Sequence, residues 1–479
     1  MSEPKNRQAL VLHIAAAIDQ KNIAVAEQAV ADLLTDITTD LHALANAYRD
    51  LLGTAQGSTL QELYLARYFS GVIAEMKSEP AAAIEHFLDA TLVQIDPEKP
   101  LQHLRRLTEL TGTTKHYALP ADLVFVTGGS FVTKNFHGHS HLHDALGGSE
   151  SALIFLARAC AERGHRVVVY CPCTQPGRYD GVEYRSHREF FFANALTPPK
   201  VLIASRFDMY LPATTRARRK LLWAHDVASL PIYNHLTHTA PTFDELICLS
   251  EYHRASWRER LALRPEQIFL TTNGFDPTLF STPTTARKKQ LIYTSRPSRG
   301  LDICVKVTAA LQHEFPDLSL LACTYTPYTN QVADDPEVKA LQQLLTQPFI
   351  HFHGGLDKTA LARALQESLL MLYPNTSGAE TSCIAAIEAM AAGCPVITSD
   401  RGALPETVPH QVGGIVVPRA EENALVESLA AAAATLLRDT NAREQLSHSA
   451  RRYACERFPW SVVAEQWLQH LAPYLGNDA

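Results

Sequence analysis

Two hydrophobic rhythms divide the chain. From residue 1 to about 115, apolar residues recur at helical spacing, with Ala, Leu and Gln dominant and no β-branched run. That spacing predicts helices throughout. After Leu119-Pro120 short apolar runs take over. ADLVFVTGG (121–129) reads as a strand, and SALIFLARACAERGHRVVVYC (151–171) as a helix stopped at Gly164 and then a buried strand. Strand, helix, strand is the unit of a parallel sheet. KVLIAS (200–205), KLLWAH (220–225), DELICLS (244–250) and EQIFLTTNGFD (266–276) continue the series. The pattern restarts at QLIYTSRPSRGLDICVKVTAAL (290–311), followed by LSLLACTY, FIHFHGG, SLLMLYPN and CPVITSD as further strands.

The predicted fold class is therefore α/β, with two Rossmann-like parallel-sheet domains preceded by an all-helical one. The expected boundaries are 1–117 for the helical front, 118–284 and 285–455 for the two sheet domains, and 456–479 for a terminal helix. Two facing sheets leave a cleft at the carboxyl ends of their strands, the usual place for nucleotides and sugars.

Composition narrows the partners. A net charge of -7 gives no basic footprint for nucleic acid. No apolar run reaches the roughly eighteen residues of a membrane span, so no transmembrane segment is expected. MSEPKNRQAL lacks the basic flank and apolar core of a signal peptide. Nine cysteines, scattered singly apart from Cys171 and Cys173, suit a reducing cytosol. The expected location is cytoplasmic.

The stretch that carries most chemistry is YPNTSGAETSCIAAIEAMAAGCPVITSDRGALPETV (373–408). A strand ends at Tyr373-Pro374, and a loop containing Gly378 leads to Glu380. A helix is predicted from about Thr381-Ser382 to Ala392. Its free amides and positive dipole end would open into the cleft, a seat for a diphosphate. Glu380 stands just before that seat, placed to accept hydrogen bonds from sugar hydroxyls. Glu388, two helical turns on, would reach a ribose if the nucleotide lies along the helix.

KNFHGHSHLHDALGGSE (134–150) raises a rival chemistry. His137, His139, His141 and His143 alternate, and an extended chain would let them and Asp144 converge on zinc. The run also fits a loop overhanging the cleft after the first strand, where imidazoles would line an acceptor pocket. The loop reading is preferred, and zinc at the histidine run is disfavoured.

The glutamate stretch resembles the signature of retaining glycosyltransferases of family 4, which have the GT-B fold. Glu380 and Glu388 match the family's paired glutamates, EAMAAGCPVI resembles its tail, and GALPETV supplies its usual following Glu406. Where the family commonly has Gly-Phe-Gly, this chain has Thr381-Ser382-Cys383. YTSRPSRGLD (293–302) resembles the loop that grips the donor diphosphate, with Arg296 and Arg299 at closer spacing and Arg in place of Lys. LWAHDVAS (222–229) brings His225 to a strand end, as near the family's donor sugar. GGSESALIFLARACAERGH resembles its first glycine loop, where Gly147 and Gly148 would let the backbone approach the donor. FPWSVVAEQWLQHL (458–471) resembles its returning terminal helix. The resemblance covers about residues 120 to 475.

It implies transfer of a hexose from a nucleotide-diphosphate sugar, UDP or GDP, with retention and with no metal and no cofactor expected. His225, Glu380, Arg296 and Arg299 would be catalytic. Gly147, Gly148, Gly378, Thr381, Ser382, Cys383 and Glu388 would bind the donor; from the position of their loop, some of His137, His139, His141, His143 and Asp144 would line the acceptor pocket and others face solvent. The acceptor would be a protein, or a bacterial polysaccharide or lipid-linked glycan. In the helical front, YFSGVIAEMKSEPAAAIEHFLDATLVQIDP (68–97) resembles a tetratricopeptide-type hairpin, with Gly71, Ala83, Phe87 and Ala90 at its packing positions. Residues 1–117 would then bind a partner or self-associate. Two alternatives stay open: a sugar-nucleotide epimerase of the same fold, and a non-catalytic scaffold working through the helical front.

Overall fold

Strands buried at every position need cover on both faces, and the chain supplies it with helices that follow most strands. The computed structural model describes residues 7–34, 57–128, 135–230, 233–234, 236, 241–281, 286–324, 343–376 and 380–476. The first sheet contains β1 (Leu123–Val126), β2 (Val167–Cys171), β3 (Gly177–Tyr179), β4 (Val182–Ser186), β5 (Val201–Ser205), β6 (Arg219–Trp223), β7 (Glu245–Cys248) and β8 (Ile268–Leu270). Their order is β3-β4-β2-β1-β5-β6-β7-β8, and only the β3–β4 pair is antiparallel. Phe125 lies opposite Val169 on one side and Ile203 on the other.

The second sheet contains β9 (Gln290–Thr294), β10 (Ser319–Cys323), β11 (Ile350–His353), β12 (Leu370–Tyr373), β13 (Val396–Ser399) and β14 (Gly414–Val417). It runs β11-β10-β9-β12-β13-β14, parallel throughout. In each sheet the chain order reverses beside the first strand, at β1/β5 and at β9/β12. Such switch points open a crevice where ligands bind. This is the two-sheet α/β architecture predicted above. The β3–β4 hairpin and β14 lay outside the predicted strands. GRYDGVEYRS and GGIVV are short and flanked by polar turns, so their apolar signal is weak.

The helical front comprises α1 (Arg7–Asp19), α2 (Ile23–Leu34), α3 (Gly57–Met76), α4 (Pro80–Val93) and α5 (Glu98–Leu110). The segment read as one hairpin corresponds to α3 and α4. Gly71 is needed at their crossing, because a Cβ there would lie 2.6 Å from the Phe87 ring. Pro97 starts α5 instead of closing the hairpin. The front is fastened to the first sheet domain: Phe192 joins its core, Leu92 joins the sheet's core, and Arg188 pairs with Asp89 at 2.5 Å and Glu85 at 2.7 Å.

The sheet helices are α6 (Gly148–Ala161), α7 (Phe190–Leu196), α8 (Glu251–Leu261), α9 (Leu301–Leu311), α10 (Lys358–Glu367), α11 (Ile384–Ala391), α12 (Glu422–Arg438), α13 (Thr440–Arg457) and α14 (Trp460–Leu475). α14 leaves the second domain and packs on the first. Trp467 meets Trp223 edge-on at 5.0 Å and bonds Thr271 Oγ1 at 3.0 Å. Burying these two indole rings is worth several kcal/mol, which fixes the two domains at this end.

Candidate active site

The cleft between the sheets has a volume of about 420 Å³, and the ends of β5, β6, β9 and β12 open into it. Three ion pairs line it: Arg299–Glu380, Lys358–Glu388 and Arg206–Asp226. Arg296 lines it as well, and its guanidinium has no carboxylate partner among the described residues. The remaining wall includes the N-terminal turn of α11.

Glu380 is 7% exposed and accepts a hydrogen bond from the Tyr373 hydroxyl at 2.8 Å, besides its ion pair with Arg299. Arg299 also donates to that hydroxyl at 3.2 Å. The neighbouring Glu380 carboxylate holds the Arg299 guanidinium charged, and burial pushes the Tyr373 phenol well above its ordinary range. Arg299 therefore stays charged and Tyr373 neutral across physiological pH. The backbone of Glu380 is held from the other side by the loop after β13. Gly402 has φ +57, and a Cβ there would lie 2.6 Å from Glu380 N and O, so only glycine fits. Ala403 N–H then donates to Glu380 O at 2.7 Å.

α11 begins at Ile384, three residues later than the Thr381 start predicted from sequence, with Cys383 as its N-cap. The delay has a physical cause, because the intervening side chains are tied to the first domain. Thr381 Oγ1 donates to His225 O at 2.8 Å. Ser382 Oγ accepts from Asn273 N at 3.2 Å, and Asn273 Nδ2 donates to Ser382 O at 2.8 Å. The Thr381 and Ser382 side chains thus bridge the two domains. Burial pushes the Cys383 thiol far up, so it is no thiolate. Gly378 lies outside the described residues.

His225 sits at the end of β6 with Nε2 2.9 Å from Ser205 Oγ. Burial, aided by Arg206, holds its imidazole well below the usual range, so the ring is neutral. Arg206 was not singled out in the sequence. It adopts φ +71, sits 3.4 Å from Asp226 and donates to Ser149 Oγ at 3.0 Å. A non-glycine residue in this region is strained and held by its surroundings. Gly147 and Gly148 stand at the start of α6 and line the same cleft. Glu388, on α11, meets Lys358 at 2.5 Å. Lys358 too was missed, although a lysine in the first turn of a helix opposes the dipole and is itself a sequence signal.

The histidine run does not stay extended. Ser140–Leu142 is a 3-10 turn, which breaks the alternation that would aim four rings one way. His141 is buried with Nδ1 2.8 Å from Gly138 O, against Phe155. His137 packs on Tyr179, and His139 reaches Asp180 at 3.3 Å. None of the four histidines, nor Asp144, is among the residues lining the cleft, which begins at Ala145. Among the described residues no group of three or more His, Cys, Asp and Glu is arranged to hold a metal.

Two parallel sheets facing a cleft, with switch points on both sides, define the GT-B fold class. Solved structures agree. The chain matches sucrose-phosphate synthase from Thermosynechococcus elongatus with TM-score 0.57 and 18% identity, over 74% of this chain and 98% of that one. It matches HepE from Anabaena in complex with UDP-glucose with TM-score 0.57 and 18% identity, over 73% and 99%. Residues 279–453, the part carrying Arg296, Arg299, Glu380 and Glu388, match the family model of glycosyl transferases group 1. The chain is also 25% identical over 359 residues to the phosphatidyl-myo-inositol mannosyltransferase of Mycobacterium leprae, covering 67% of this chain and 92% of that protein. Together these matches support glycosyltransferase activity, with the group 1 match confined to residues 279–453. No described helix is long and apolar enough to cross a membrane.

Proposed function

We propose that this protein transfers a hexose from a UDP- or GDP-sugar to an acceptor hydroxyl, with retention and without a metal ion. The observation that carries the reading is Arg296, without a carboxylate partner among the described residues, lining the same cleft as the N-terminus of α11, where the other described charged side chains are paired. One cation and a helix start favour a dianionic leaving group. In this mechanism Arg296 and the first amides of α11 stabilise the departing diphosphate, with Arg299 behind them. Glu380, fixed by Arg299 and Tyr373, orients the donor sugar. The neutral His225 imidazole is suited to a hydrogen bond with a sugar hydroxyl near the anomeric carbon. The acceptor attacks from the face the diphosphate leaves, and a diphosphate oxygen takes its proton. Arg296, Arg299 and the helix supply the charge that a metal ion would otherwise bring.

The acceptor would enter from the first domain. The mycobacterial relative's name points to a polyol headgroup; a glycan or protein hydroxyl fits the same chemistry. The helical front, fastened to that domain, would recruit the acceptor or a partner. Nine free cysteines accord with work in the cytosol. The test is release of nucleoside diphosphate from UDP-, GDP-, ADP- and dTDP-sugars in excess chelator, with the product's anomeric configuration read by NMR. Slow release from one donor identifies it. Release that appears only on adding a divalent metal, or product of inverted configuration, overturns the corresponding part of the proposal.

A further inference from the structure

Lys358 and Glu388 form a pair that neither helix needs. Lys358 is the first residue of α10, where Asp357 Oδ1 already caps the helix by accepting from Ala360 N at 2.8 Å. A cation in that turn opposes the dipole. The two side chains are only 10% and 5% exposed, so each ion would be costly alone. Nζ donates to Glu388 Oε1 at 2.5 Å, while Oε2 makes no hydrogen bond among the described residues. Both residues line the cleft on the side of α11 beyond its first turn.

We propose that Lys358 is a positioning residue for the nucleoside end of the donor: it clamps one oxygen of Glu388 so that the other faces the ribose hydroxyls. This rests on the donor reading above and deepens it. A carboxylate free to rotate would lose part of each hydrogen bond to the entropy of fixing it. One held by an ammonium is already oriented, and its hydrogen bonds to ligand are charge-assisted. The effect belongs to donor binding and not to the bond-breaking step, so Lys358 should govern KM for donor and leave kcat nearly unchanged.

The experiment measures binding of UDP and GDP, each beside its 2′,3′-dideoxy form, to the full chain and to Lys358→Met, Lys358→Arg and Glu388→Gln. For the nucleotide that binds, the native chain should prefer the ribose form by about tenfold or more. Lys358→Met and Glu388→Gln should bring that preference close to one, with dideoxy affinity unchanged, and Lys358→Arg should restore most of it. The preference is a ratio within one protein, so partial loss of folded material does not obscure it. Equal weakening toward ribose and dideoxy forms, or no weakening, overturns the role of Lys358 and leaves the donor reading standing. Failure of the native chain to bind either diphosphate overturns the donor reading itself.

Discussion

The two walls of the cleft hold charge in different ways. On the second-domain wall two carboxylates, Glu380 and Glu388, each meet one cation, and Arg296 has no carboxylate partner among the described residues. On the first-domain wall Arg206 and Asp226 compensate each other, and His225 is neutral. The described charges lining the cleft are therefore lopsided, with one positive charge in excess on the second-domain wall. In the proposed reaction an anionic leaving group would lie on that side, and an uncharged sugar or acceptor on the other. The walls are joined through backbone and hydroxyl contacts: Thr381 to His225 O, and Ser382 to Asn273. Such neutral ties let the domains meet without cancelling the charge difference.

Removing a charge from the second wall should break the asymmetry most. Arg296→Ala should lower kcat/KM for the donor by about a hundredfold or more, the usual cost of losing one preorganised group at a developing charge. Among the described residues its guanidinium has no carboxylate partner, so thermal stability should hardly change. Glu380→Gln should cost both: it leaves Arg299 without an anion, which destabilises by about 3 kcal/mol. Calorimetry and donor hydrolysis on the two variants separate these outcomes. Equal loss of stability in both would mean that Arg296 is structural.

The next effect is in pH dependence. Burial pushes His253 down to about 4, its Nδ1 accepting from Leu249 N and its Nε2 facing Asp226 O. A histidine depressed in the fold takes up fewer protons than the unfolded chain between pH 4 and 6.5. It adds stability that is complete above 6.5 and lost as pH falls toward 4. Glu189, at the junction with the helical front, is pushed up to about 7 by burial. Its contribution is complete below about 4.5 and lost as pH rises through 7. The two slopes oppose each other at about 1.4 kcal/mol per pH unit each where they overlap. Glu189→Gln should steepen the loss of stability from pH 6.5 to 4.5, and His253→Gln should flatten it. Unchanged slopes in denaturant titrations at four pH values would refute both assignments.

The same asymmetry explains what the sequence discloses. The second wall is written in one stretch, because β12, the Glu380 loop and α11 follow each other and both glutamates lie eight residues apart. Hydrophobic runs expose the strands, and a helix start after a strand marks the anion seat. The partners of those glutamates come from elsewhere: Arg299 from the loop after β9, and Lys358 from the start of α10. Nothing local says that Arg299 would meet Glu380 directly. Arg206 is visible only through a left-handed backbone, which no residue pattern announces. The histidine run misleads for the opposite reason. Its alternation is clear, but Ser140–Leu142 turns, and register survives only in an extended chain.

A smaller effect tests the join between walls. Glu406, in the short helix Leu404–Thr407 that follows the Gly402 turn, reaches across and accepts from Glu251 N and Tyr252 N, both at 2.8 Å. These are the first amides of α8, so the carboxylate caps a helix of the opposite domain. Glu406→Ala should cost about 1 kcal/mol of stability and loosen the cleft, raising donor KM severalfold with kcat little altered. Glu406→Gln, which keeps an accepting oxygen, should recover part of this. If both variants leave KM unchanged, the contact stabilises α8 alone and carries no information across the cleft. The smallest effect belongs to the histidine turn. Because His139 and His143 do not line the cleft, replacing both with Ala should leave donor hydrolysis within twofold of the native rate, with or without chelator. A selective loss of transfer to acceptor, with hydrolysis intact, would instead bring the turn into the acceptor path and make the first wall longer than the cleft now outlines.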